Sequence, residues 1–196
     1  MITRLFKEDL KYKRHSVITY LYDNLSEKSQ ILNIISNIQL NLTDDLIYRT
    51  SPKKELLHQI LVQSDDEEYG IENNPHITIL YGLTNENDYF KLRNIVNGIF
   101  KFKFGKINKF RQDDCDVLII EIESEDFNNL HNKIKQSCEV NLKYNDYKSH
   151  LTLAYVKKNA FEDLIGDCKL TGIEVEIKNL KFCHKDGYKL PLNGDK

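Results

Sequence analysis

The sequence predicts an α+β fold made of two similar lobes packed across a shared groove. Three observations carry that prediction. The order strand, amphipathic helix, strand with a His-x-Thr motif occurs twice, and the two motif strands, at 75–82 and 149–157, share one pattern of apolar and polar residues. No low-complexity linker separates the halves. At 196 residues the chain suits a single domain, residues 1–196, with 193–196 as a frayed tail.

The elements follow in order. Residues 14–22 are rich in β-branched and aromatic side chains and read as a strand. A helix then opens with Ser26 as N-cap and places Ile31, Ile34, Ile35 and Ile38 on one face. Residues 45–49 read as a short strand, Pro52 starts a helix running to about residue 62, and 64–70 form a polar, acidic loop. The first motif strand comes next. Residues 84–87 open a helix with Leu92, Ile95, Val96 and Ile99 inward, and 101–109 and 115–123 pair as a hairpin about 112–114. Ser124 caps a third helix that buries Phe127, Leu130 and Ile134. After the second motif strand come a short helix at 160–165 and strands within 173–182 and 188–190.

Composition narrows the function classes. Hydrophobic residues make up 40% and charged residues 30%, as in ordinary globular proteins. The formal net charge of -2 gives no global positive field to attract a long duplex or a membrane surface. The basic runs at 101–106 and 155–158 read as solvated strand edges. The start has no apolar leader and no stretch of about 18 apolar residues appears, so the expected location is the cytoplasm. Cys115, Cys138, Cys168 and Cys183 have no metal-like spacing and read as free thiols; no metal and no other cofactor is expected.

Of the six histidines, His76 and His150 alone are followed two positions later by Thr. One His-x-Thr or His-x-Ser is expected by chance about once in such a chain. Two copies with matching flanks, PHITILY and SHLTLAY, are not. Alternate residues of a strand share a face, so His76 with Thr78, and His150 with Thr152, present polar side chains opposite an apolar side. Strict alternation puts Tyr81 and Tyr155 on the apolar side. If the two strands lie together, four polar groups converge on a phosphate-sized volume. In-line displacement at a phosphodiester needs a base on the attacking oxygen and an acid on the leaving one, and histidine does either near neutral pH. The Thr hydroxyls would donate to the non-bridging oxygens as charge grows.

The paired motifs resemble the 2H phosphoesterase superfamily, which includes LigT-like 2',3'-cyclic phosphodiesterases, 2'-5' oligoadenylate phosphodiesterases and phage anti-CBASS phosphodiesterases. The run YGIENNPHITILYGL, residues 69–83, is similar to phage-encoded members. The resemblance implies two antiparallel sheets facing each other across the groove with helices outside, metal-independent catalysis, and catalytic roles for His76, Thr78, His150 and Thr152.

Other residues carry weaker signals. Lys148 is placed either to bind phosphate or to sit at a solvated entrance, and Tyr20 either to stack on a nucleobase or to fill the core. His15, His58, His131 and His184 have no partner pattern. The leading expectation is an enzyme cleaving a small cyclic or 2'-5'-linked oligonucleotide signal. Processing of short RNA 2',3'-cyclic phosphate ends is the alternative within that chemistry, and a catalytically silent nucleotide sponge the alternative outside it. A purely structural role would give no reason for two matching polar faces.

Overall fold

A computed structural model describes residues 14–25, 30–50, 72, 74–113 and 115–193 of the chain. The strands are β1 (His15–Tyr20), β2 (His76–Leu83), β3 (Phe100–Arg111), β4 (Asp116–Glu123), β5 (His150–Val156), β6 (Glu174–Ile177), β7 (Lys181–Cys183) and β8 (Lys189–Pro191). The helices are α1 (Leu21–Asn24), α2 (Gln30–Thr50), α3 (Asp88–Ile95) and α4 (Glu125–Ser137), with one 3-10 turn at Glu162–Leu164.

Among the described residues the strands form one antiparallel eight-stranded sheet in the order β6-β3-β4-β5-β2-β1-β7-β8, curled into a half-barrel. This corrects the expectation of two facing sheets. The motif strands β2 and β5 are neighbours at the centre, four strands reach outward on each side of the seam, and curling supplies the concavity. The seam itself is narrow. Its register consists of Ile77 opposite Leu151, whereas β1–β2 and β4–β5 pair over longer stretches.

One face of the sheet packs on the helices. Val17, Ile77, Ile79, Leu118, Ile120, Leu151 and Leu153 meet Ile35 and Leu42 of α2, Leu92 of α3 and Phe127, Leu130 and Ile134 of α4. Ser124 caps α4 as expected: its hydroxyl accepts a hydrogen bond from Phe127 N at 3.0 Å and donates to Lys101 O. The opposite face buries Ile18, Val117 and Ile119 outside that cluster, and these form an apolar floor beneath the concave side.

Several local expectations are corrected. Residues 45–49 continue α2 and do not form a strand; extending an existing helix costs far less than starting a new element. Ile99 is 60% exposed because α3 ends at Ile95. The expected helix at 160–165 shrinks to the 3-10 turn, and the strand expected within 173–182 is two strands, β6 and β7. The basic run at 101–106 is not an edge, since β6 pairs outside it and Glu176 and Glu174 bridge Lys101 and Lys103 at 2.8 and 3.5 Å. Ser26, the helix expected at 52–62, the loop at 64–70 and residues 194–196 lie outside the described residues.

Candidate active site

The geometry of the site follows from one pair. With Ile77 opposite Leu151 in antiparallel register, His76 stands opposite Thr152 and Thr78 opposite His150. A local two-fold axis through that pair exchanges the two motifs. The histidines lie on a diagonal whose backbone spacing is about 7–8 Å in such pairs. All four side chains are half-buried on the concave face, while Ile77, Ile79, Leu151 and Leu153 are fully buried beneath. The structure therefore brings the four motif residues together.

Both imidazoles are held in the same way. Nδ1 of His76 lies 2.8 Å from Asn74 O, and Nδ1 of His150 lies 2.7 Å from Lys148 O. A carbonyl oxygen can only accept, so each Nδ1 carries the proton and, in a neutral ring, Nε2 keeps its lone pair. Burial pushes the pKa of His150 below the usual imidazole value; the bond to Lys148 O opposes this, and the charge of His76 lowers it further. Two imidazolium charges this close repel.

Each motif strand carries a β-bulge one residue after its Thr. Val17 and Ile18 pair with Leu80 and Thr78, leaving Ile79 as an extra residue; Leu118 and Ile119 pair with Ala154 and Thr152, leaving Leu153 extra. The bulges reset the alternation. Tyr81 pairs with Ser16 and Tyr155 with Val117, both on the concave face, which corrects the placement of these tyrosines on the apolar side.

A bulge frees backbone groups from the ladder, and here helix and loop residues claim them. His131 of α4 donates from Nδ1 to Ile79 O at 2.8 Å, and Tyr147 OH donates to the adjacent Thr78 O at 3.1 Å. The two rings stack at 4.2 Å, and burial pushes the Tyr147 phenol up to about 12. On the other motif, Gln39 Nε2 of α2 donates to Leu153 O at 3.1 Å, and Glu72 N to the same oxygen at 2.9 Å. His131 and Gln39 carry no sequence motif, and only the tertiary register identifies them.

Tyr20 sits at the end of β1 opposite His76, with ring centroids 5.6 Å apart, and Lys189 and Lys181 place their ammonium groups 4.5 and 5.4 Å from its ring. Lys181 also pairs with Asp23 at 2.9 Å. Lys148 precedes β5 with its side chain exposed, and its carbonyl orients His150. Phe110, which the sequence did not single out, meets His150 edge to face at 4.7 Å. Among the described residues, no three His, Cys, Asp or Glu side chains are grouped to hold a metal ion, and no helix is long and apolar enough to cross a membrane.

No curated protein matches the chain by sequence. Among solved structures the chain is similar to Usb1 of Kluyveromyces marxianus, with a TM-score of 0.55 and 9% identity over 93% of this chain and 98% of that one. This likeness shows the fold. The model of the family described as anti-CBASS protein Acb1 matches residues 67–179. That span exceeds half of the sequence and contains both His-x-Thr motifs, so the chain belongs to the Acb1 family of anti-CBASS proteins.

Proposed function

We propose that the chain is a metal-independent phosphodiesterase that cleaves a small cyclic oligonucleotide signal and thereby blunts a CBASS response, working in the cytoplasm of the infected host. The family supports the signal as substrate, since an anti-CBASS role implies a cyclic oligonucleotide. The observation that carries the chemistry is the two-fold arrangement about Ile77 and Leu151, which sets two like-oriented imidazoles and two threonines on one face of adjacent strands.

In this reading the whole chain is one domain whose two lobes, the strands on either side of the seam, each contribute one motif. His150, whose pKa burial lowers, is the neutral base: its Nε2 takes a proton from the attacking oxygen as the new P–O bond forms. His76, protonated on both nitrogens, gives its Nε2 proton to the leaving oxygen as the old P–O bond breaks. Thr78 and Thr152 donate to the non-bridging oxygens, where charge accumulates. Tyr20 offers a ring face for a base, and Lys148 guards the entrance on the His150 side.

The test is incubation with EDTA and a panel of 3',3'- and 2',3'-cyclic dinucleotides, 2'-5' oligoadenylate and 2',3'-cyclic mononucleotides. Cleavage of a cyclic oligonucleotide in EDTA is the expected result. Binding with stoichiometric release of intact nucleotide would identify a sponge, and turnover of 2',3'-cyclic ends alone would identify RNA end processing.

A further inference from the structure

The half of the groove beyond His150 is lined by β4 and β3, and three side chains there take no part in the chemistry above. Glu121 stands directly opposite His150 in the β4–β5 register. It lies on the concave side because Ile119 and Val117, two and four residues back, lie there, whereas Ile120 and Ile122 belong to the core. The neighbouring strand is shaped around it. Phe104 pairs with Ile122 and Ile107 with Ile120, so Gly105 and Lys106 bulge opposite Glu121. A Cβ at Gly105 would come within 3.0 Å of Glu121 Cβ and 3.2 Å of Glu121 O, closer than a side chain tolerates without a shift.

The carboxylate is also oriented. Asn108 Nδ2 donates to Glu121 Oε1 at 2.5 Å, which leaves the acid with acceptor capacity that its neighbour does not use. Phe110, two residues on, is half-buried with its ring at 86° to that of His150. Each histidine thus has an aromatic ring on its own side of the seam, Tyr20 by His76 and Phe110 by His150. The two sides differ in charge. Lys181 and Lys189 flank Tyr20, whereas Glu121 flanks His150.

A carboxylate beside a phosphate site repels the phosphate, so its place needs an N–H donor on the ligand. Guanine presents adjacent donors at N1 and N2, which match a carboxylate in a bidentate pair. Adenine presents N6–H beside an N1 lone pair, which would face the acid and be repelled. We propose that Phe110, Asn108 and Glu121 form a nucleobase subsite on the His150 side, and that it takes guanine, the ring on Phe110 and the donor edge on Glu121. The placement of the ligand's phosphate in the quartet rests on the phosphodiesterase reading; the base preference is measured without it.

The probes are GMP and AMP, which contain no phosphodiester and persist during titration calorimetry. The parent should bind GMP more tightly than AMP by about tenfold, the scale of one good bidentate contact. Glu121→Gln, which is isosteric and presents a donor to either base, should remove that preference. Phe110→Leu should weaken both nucleotides by about tenfold, as loss of a stacking face does. Equal affinity in the parent, absence of binding, or a preference that persists in Glu121→Gln would overturn the subsite. Cleavage of bis(p-nitrophenyl) phosphate by the parent in EDTA, run alongside, separates the two ideas. Cleavage without a GMP preference removes the subsite alone, and a Glu121-dependent preference without cleavage removes the phosphodiesterase alone.

Discussion

Ile77 and Leu151 face one another across the β5–β2 seam, and the two-fold axis between them carries His76 onto His150 and Thr78 onto Thr152. Both apolar residues are buried in the core, yet their register sets which motif side chains stand opposite one another. Shifting β2 by one residue would turn His76 and Thr78 into the core.

The bulge carbonyls should be costly to orphan. His131→Leu leaves the buried Ile79 O without its donor, and Gln39→Leu removes one of two donors from Leu153 O. The first should cost about 1–3 kcal/mol in denaturant unfolding, the scale of a buried unsatisfied acceptor. The second should cost less, because Glu72 N remains. No loss in either variant would mean that the bulges are held by packing alone.

Stability should fall in mild acid. The folded pKa of His150 lies below its ordinary 6.5, so between the two values the unfolded chain binds more protons. This contribution is fully present above about pH 6.5 and is lost as pH drops toward the folded pKa. His150→Gln should therefore flatten the unfolding midpoint against pH across that window; an unchanged slope would show that burial of this imidazole is not what the chain resists.

The same shift sets the rate profile. The acid limb of turnover should lie below pH 6.5, since His150 becomes a usable base once it is neutral, and the rate should fall again where the acid's proton is gone. A rate that still climbs through pH 8 would contradict an imidazole acid.

Tyr20 and the threonines should separate binding from chemistry. Tyr20→Ala should raise KM by about tenfold with a smaller effect on kcat, as for loss of one stacked base. Thr78→Ala or Thr152→Ala should lower kcat by about 2–4 kcal/mol of barrier, as for an oxyanion donor. A Thr effect confined to KM would make the hydroxyls ground-state binders.

The motif residues were legible because period-two alternation around two His-x-Thr copies states which face each side chain takes. Tyr81 and Tyr155 were misplaced because a bulge is a property of pairing: the extra residues Ile79 and Leu153 appear only beside β1 and β4. Phe110 and Glu121 belong to strands with no motif, and cross-strand register and curling bring them to His150. The α+β class followed from periodicity, but a single curled sheet in place of two could not, because it depends on the one pair that joins β2 to β5. Lys148 shows a further limit. The sequence offered its side chain, while the structure uses its carbonyl to set the His150 tautomer.

The central claim, that His76 and His150 are the acid and base of a metal-independent cleavage, is tested most directly by His150→Ala assayed in EDTA for both cyclic dinucleotide binding and turnover. Binding should persist, since the threonines and the groove remain, while turnover should fall roughly 10²–10⁴-fold, the worth of one positioned acid or base. A variant that binds the nucleotide and cleaves it at the parent rate would contradict the two-histidine mechanism, whatever the fold.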